Sequence, residues 1–273
     1  TLARLDGVIF VDRSFYGTLA VRHTAAGTYH VLLHGTTIHG VQLTDPARRT
    51  TPLTYFTLPG PAGDVVRAAR AAGHADRVAV IGLGAGTLAC QAEPGERYTF
   101  YEIDPLVSRV AADPALFSYL RDCPARPDVV LGDGRVSLSR RPDARYGLIM
   151  LDAFASDSVP VHLLTRQAVE LYLARLDPDG LVAFHVTNRY LDLEQVVGRV
   201  AAALGASCVA RSDRNEDAAS FGPGKFASHW LALARGPADL AGLRADPGWQ
   251  PCRVGSGRVW TDDYANLVGA LDW

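Results

Sequence analysis

The chain has 273 residues, 48% of them hydrophobic and 21% charged, with a net charge of −2. That length can bury a full core and leaves room for one large domain with a small appendage. There is no basic stripe and no interleaving of aromatic with basic residues, which argues against nucleic acid as a partner. Lys225 is the single lysine among 27 basic residues, a compositional bias of the source genome and not a phosphate-recognition signal. No apolar run reaches the roughly 18 residues that suggest a membrane span, and no signal peptide opens the chain, so a cytoplasmic protein is expected. The chain opens on Thr1 without a methionine, which suggests trimming from something longer.

In chain order, residues 8–11, 18–22, 29–33 and 36–42 alternate apolar with polar residues between glycine-bearing turns, the pattern of a small antiparallel sheet. The Pro/Gly-rich stretch 59–63 is the expected boundary, giving an N-terminal β-sheet domain over 1–60 and a second domain over 61–273. An alanine-rich helix over 64–72 follows, closed by Gly73. Strands are expected at 78–81, 98–103, 128–131, 148–151, 181–186 and 207–211, with a further one near 229–234; helices fall between them, notably 163–176 and 193–204. Such alternation predicts an α/β fold, a parallel sheet covered on both faces in a Rossmann-like layer. Cys90, Cys123, Cys208 and Cys252 lie far apart with no C-x-x-C pair, and read as reduced structural thiols.

The most informative stretch is the strand 78–81 entering Gly82-Leu83-Gly84-Ala85-Gly86. A strand that turns sharply through glycines into a helix presents bare backbone N–H groups to a ligand. Glu102, ending the next strand with Ile103 beside it, is placed to accept hydrogen bonds from two ribose hydroxyls. A dinucleotide fingerprint would place its third glycine where Thr87 stands. The compact spacing of Gly82, Gly84 and Gly86 suits S-adenosylmethionine or a relative; NAD-type binding and a plain tight turn are the alternatives.

Ligands of such sheets bind beyond the carboxyl ends of the strands. The third strand ends in Gly132-Asp133-Gly134, where Asp133 is suited to the exocyclic amine of adenine; capping the helix 135–140 is the structural alternative, and both can hold together. The fourth strand ends in Asp152, with Asp157 a few residues later. Two carboxylates near a sulfonium could draw in a cationic amine and take its proton. The competing reading makes Asp157 a helix cap and Asp152 a loop anchor. His34 and His39 are spaced to lie on opposite faces, with no ligand pattern beside them, so no metal is expected. They and His185, which follows the fifth strand, read as donors lining a pocket or as satisfied core residues. Trp260, Asp262, Asp263 and Tyr264 form a lid or pack the C-terminus.

The order Leu33-His34-Gly35, Leu53-Thr54-Tyr55, the glycine turn, Tyr101-Glu102-Ile103-Asp104, Leu131-Gly132-Asp133-Gly134 and residues 146–152 resembles the spermidine synthase family of aminopropyltransferases, over nearly the whole chain to Ala234. The resemblance implies an N-terminal β-sheet domain joined to a Rossmann-like S-adenosylmethionine-dependent transferase fold. It implies transfer of an aminopropyl group from decarboxylated S-adenosylmethionine to a polyamine or other amine, with release of methylthioadenosine. By position, Glu102 would hold the ribose, Asp133 the adenine and Asp152 the attacking amine, and Tyr55 would line the acceptor site. Dimers are common in that family, so a homodimer is the assembly it implies.

The departures are informative too. Ala85 stands where the family's turn has an aspartate that anchors the ammonium of the aminopropyl chain, and Thr57, Ala153-Phe154-Ala155 and His185-Val186-Thr187 replace other polar groups that grip a diamine. This looks more like a divergent spermidine-synthase-like branch, which includes the soluble parts of proteins that elsewhere carry membrane helices. The tracts 33–42, 152–165, 188–193 and 260–267 fit that branch, and the first of them makes Gln42 a candidate substrate contact alongside His34 and His185. With no acid beside the turn, intact S-adenosylmethionine becomes a plausible ligand. A lyase, cyclase or methyltransferase, and a non-catalytic nucleoside-binding domain, stay open as alternatives.

Overall fold

The computed structural model describes residues 5–24, 26–125, 127–153, 160–214 and 224–271. Four antiparallel strands come first: β1 (Leu5–Ser14), β2 (Gly17–Thr24), β3 (Tyr29–His34) and β4 (Thr37–Leu43), in the order β1-β2-β3-β4. Leu19, Val21 and Leu32 on one face belong to the same apolar core as the helix and strands that follow, so this small sheet packs onto the larger layer. Val31, Leu33, Val41 and Leu43 on the other face form a separate cluster with Leu53.

Helix α1 (Pro61–Ala71) begins where proline is best tolerated, at the first helical position, and carries Asp64 in its first turn, where a negative charge meets the positive end of the helix dipole. It buries Ala62, Val65, Val66 and Ala69, one stripe at helical spacing. Then come β5 (Arg77–Ile81), β6 (Arg97–Glu102), α2 (Pro105–Ala112), α3 (Tyr119–Asp122), β7 (Asp128–Leu131), α4 (Gly134–Ser139), β8 (Tyr146–Leu151), α5 (Arg166–Arg175), β9 (Leu176–His185), α6 (Leu193–Ala203), β10 (Ser207–Asp213), β11 (Ser228–Ala234) and β12 (Gln250–Pro251). The eight strands form one sheet in the order β12-β10-β11-β9-β8-β5-β6-β7. Every residue of β8 is buried, as expected of a central strand covered on both faces.

Two features differ from the sequence reading. The sheet is parallel only from β9 to β7; β11 runs antiparallel to both β9 and β10. The glycine turn leads not into a long helix but into a single 3₁₀ segment, Thr87–Gln91, so the backbone N–H groups at the turn act without an extended helix dipole behind them. Among the described residues, no helix is long and apolar enough to cross a membrane.

The expectation of four reduced thiols is also corrected. Cys90 bonds Cys123 and Cys208 bonds Cys252, with Cα atoms 4.8 and 5.4 Å apart. Sequence distance concealed both pairs: the first ties the segment behind the glycine turn to the residue that ends α3, and the second ties β10 to the chain just after β12. Closing loops of 33 and 44 residues restricts the unfolded chain, a contribution of about 3 to 4 kcal/mol each in the chain-entropy model. Thiol titration of the denatured, unreduced protein should find no reactive cysteine, and reduction should lower the urea midpoint measurably.

Candidate active site

Two adjoining cavities lie where the N-terminal sheet meets the carboxyl ends of β5, β6 and β8. The first is lined by Gly82, Leu83 and Gly84 of the turn, by Glu102, Ile103 and Asp104, by Asp133 and Gly134, and from the N-terminal sheet by Leu19, Leu32, His34 and His39. The second is lined by Thr36, His39, Tyr55, His185 and the 187–189 segment, with Phe226 on its wall. Asp152 and His39 border both.

The floor of the first cavity depends on missing side chains. Gly82 adopts φ 99°, and a Cβ there would lie 2.1 Å from the carbonyl oxygen of Asp152; Gly84, at φ 53°, has the carbonyl oxygen of His39 2.8 Å from the same position. Any other residue would push β8 and β4 away from the turn. Gly86 also needs its positive φ, but it packs toward Tyr119 and Leu120 and does not line either cavity.

Glu102 is buried, and its two carboxylate oxygens accept from the Leu83 N–H (2.9 Å) and the Asp104 N–H (2.8 Å). Each oxygen keeps a lone pair for a further hydrogen-bond donor. Burial raises its pKa above the ordinary value of 4.5, against the lowering effect of those backbone hydrogen bonds. Asp104 caps α2 through the Leu106 N–H and accepts from the Ser14 hydroxyl at 2.6 Å. Asp133 does the two things its position allows. One oxygen caps α4 at the Val136 N–H, and the other lies 2.8 Å from His162 Nε2 at the cavity wall. The sequence reading missed His162, which reaches Asp133 from the 3₁₀ segment Val161–Leu163, 29 residues away along the chain.

At the seam, Asp152 Oδ1 lies 2.6 Å from His185 Nδ1, and His185 Nε2 lies 2.7 Å from the Thr187 hydroxyl, which accepts from the His229 N–H at 2.7 Å. The carboxylate of Asp152 can only accept, so the proton between it and His185 sits on Nδ1, while the Thr187 hydroxyl links Nε2 to the His229 N–H. The imidazole is held between Trp230 (centroids 4.9 Å, 20°) and Tyr55 (4.4 Å, 31°). Burial and the nearby Asp152 charge both raise the Tyr55 pKa, so its hydroxyl stays protonated. Tyr55 follows Thr54, the one non-glycine residue with positive φ (63°) among the described residues; Thr54 is clamped by the Gly224 carbonyl and the Phe226 N–H. Backbone strain of this kind persists only where its surroundings enforce it.

The histidines of the N-terminal sheet correct the expectation of opposite faces. Leu32 pairs with Gly40 and Leu33 with Ile38, which leaves His39 as the extra residue of a β-bulge. The bulge and hairpin bring the His34 and His39 rings to 5.6 Å at one cavity. His34 Nε2 contacts the Tyr16 carbonyl at 2.8 Å. His39 Nε2 is buried without a hydrogen-bond partner among the described residues, and desolvation lowers its pKa from 6.5 to about 4. Gln42 is not brought to the site. It bonds the Arg49 carbonyl and both Ser118 Oγ and Ser118 N, fastening β4 to the start of α3. Asp157 lies outside the described residues. Asp262 takes a two-pronged ion pair from Arg135 (2.7 and 2.6 Å) and a bond from Thr165, and Trp260 is buried, so the C-terminal segment packs against α4 and α5. Among the described residues no cluster of three or more metal-ligating side chains occurs.

The sheet order, the glycine turn and the carboxylates at the strand ends define an α/β protein with a crevice at the carboxyl ends of its strands, fronted by a small antiparallel sheet. No family model matches the chain. It is 33% identical over 131 residues, 45% of its length, to a polyamine aminopropyltransferase of Vibrio vulnificus, and the match spans 42% of that relative, less than half. In structure it resembles a probable spermidine synthase from Corynebacterium glutamicum (TM-score 0.63, 14% identity, 98% of this chain and 99% of that one). It likewise resembles the spermidine synthase of Thermotoga maritima (0.59, 13%, 99% and 86%) and a spermidine synthase in complex with the transition-state analogue AdoDATO (0.58, 14%, 88% and 78%). The chain is thus similar in sequence to an aminopropyltransferase over part of its length and shares the fold of the spermidine synthases, the likeness its sequence motifs imply.

Because His39 is protonated near pH 6.5 when unfolded and only near pH 4 when folded, it destabilises the fold as pH falls through that window, by up to about 3 kcal/mol. Replacing it with glutamine should flatten the loss of stability between those pH values, as read by denaturant titration.

Proposed function

We propose that the protein transfers an aminopropyl group from decarboxylated S-adenosylmethionine to an amine. The observation that carries the reading is the position of Asp152, bordering both the nucleoside cavity and the second cavity while His185 holds its carboxylate at 2.6 Å. In this reading the turn residues 82–84 lie under the donor, Glu102 accepts from the ribose hydroxyls, and Asp133 with His162 faces the adenine. An amine in the second cavity meets Asp152 before it meets the donor. The amine nitrogen attacks the methylene carbon bound to the sulfonium, the C–S bond breaks with its electron pair going to sulfur, and methylthioadenosine leaves. The proton lost by the amine passes to Asp152, whose orientation the His185–Thr187 chain fixes. The donor carbon is already activated by its positive sulfur, so positioning supplies much of the acceleration.

A second reading rests on Ala85. Gly40 packs so closely that a Cβ there would lie 2.5 Å from the Ala85 Cβ, and alanine offers no carboxylate to anchor an ammonium in the turn. A donor that keeps its methionine carboxylate would then meet no repulsion at the turn, and the reaction becomes cyclisation, lysis or methyl transfer. Products separate the readings: methylthioadenosine only in the presence of an amine supports aminopropyl transfer, methylthioadenosine without an amine supports lysis or cyclisation, and adenosylhomocysteine supports methyl transfer.

For the proposed reaction, Asp152→Asn should lower kcat by about 100-fold or more while leaving methylthioadenosine binding intact. His185→Asn should cost less, about tenfold, and should shift the pH profile of kcat, because it acts through Asp152. Full activity in Asp152→Asn would overturn the assignment.

A further inference from the structure

The second cavity, about 450 Å³, is large enough for a small organic molecule. Among the described residues, its lining charges do not suit a diamine. Among the described residues that line it, the only carboxylate is Asp152, at the seam with the nucleoside cavity, and the only permanently cationic side chain is Arg189. The Arg189 guanidinium lies 5.9 Å from the Tyr190 ring centroid, a cation–π contact that steadies an otherwise exposed side chain. Beside it, Asn188 uses its carbonyl oxygen to accept from the Tyr190 and Leu191 N–H groups, both at 2.9 Å, so its side chain can offer a ligand only donors. Thr36 and Thr37 add hydroxyls, and Ile38 and Phe226 an apolar wall.

This polarity has a direction. At the seam, a carboxylate receives an amine; at the Arg189–Asn188 wall, a guanidinium and an amide receive an anion. An α,ω-diamine would set its second ammonium against Arg189, whereas a molecule with an amine at one end and a carboxylate at the other matches both ends. We propose that the acceptor is an ω-amino carboxylate, bound with its amine at Asp152 and its carboxylate at Arg189, and that Arg189 determines this specificity. The inference rests on the aminopropyl-transfer reading and names its acceptor class. The bond changes are those already given: a new C–N bond forms, the C–S bond breaks, and the amine proton goes to Asp152, with the acceptor carboxylate unchanged.

The test supplies purified protein with decarboxylated S-adenosylmethionine and, separately, straight-chain ω-amino carboxylates and diamines of three to six carbons, with product masses and kcat/KM recorded. The ω-amino carboxylates should be preferred by about fivefold or more, chiefly through KM, the scale of one exposed charge contact. Arg189→Glu, a change on an exposed loop, should invert that preference while leaving methylthioadenosine affinity unchanged. Preference for diamines, or a ratio unmoved by Arg189→Glu, overturns this inference but leaves aminopropyl transfer standing. Failure of every amine, with methylthioadenosine still bound, overturns both.

Discussion

The whole arrangement depends on backbone contacts that exclude a single extra carbon. Gly82 sits against the Asp152 carbonyl, Gly84 lies beneath the His39 carbonyl, and Gly40 meets Ala85. These three contacts draw β5, β8 and β4 to one point, although the three strands belong to two sheets. The glycine turn that lines the first cavity is therefore also the hinge-pin of the packing that forms both cavities. A methyl group at any of the three sites would separate the N-terminal sheet from the strand ends or displace Asp152 from the seam.

Around that point, polar groups are held by other polar groups before any ligand arrives. Glu102 accepts from two backbone N–H groups, Asp133 from a helix end while facing His162, and Asp152 from an imidazole steadied by a hydroxyl and two aromatic faces. Such prior engagement limits the reorganisation that binding demands, the usual basis of precise positioning. His39 is the contrast, with a buried nitrogen left without a partner among the described residues and its charged form disfavoured. A neutral imidazole suits the proposed reaction, in which another positive charge between a sulfonium donor and an amine would repel both.

The departures from the spermidine synthase pattern also form one set. The anchoring acid of the turn gives way to Ala85, against which β4 packs, and the polar run after the fifth strand gives way to His185-Val186-Thr187. Together they leave a histidine-supported carboxylate, Asp152, at the seam, and Arg189 lines the second cavity beyond it. The paired cysteines are a further departure from expectation, since such bonds persist mainly in oxidising surroundings.

Much of this was legible in the sequence, because local physics wrote it there. Glycine spacing after an apolar strand revealed the turn, and acidic residues at the ends of successive strands revealed Glu102, Asp133 and Asp152, since strand periodicity and sheet topology direct those positions to one crevice. The pairing of His185 with Asp152 joins residues 33 apart, and His162 reaches Asp133 across 29. No local pattern encodes such distances. The facing of His34 and His39 came from a bulge that only strand register shows, Gln42 was turned inward by Ser118, and the cysteines met because α3 folds back behind the turn. The sequence by itself determined which elements form and which residues end the strands, for these follow from nearest-neighbour preferences. Only the tertiary structure decided which ends meet, because that depends on two sheets packing to within a carbon of one another.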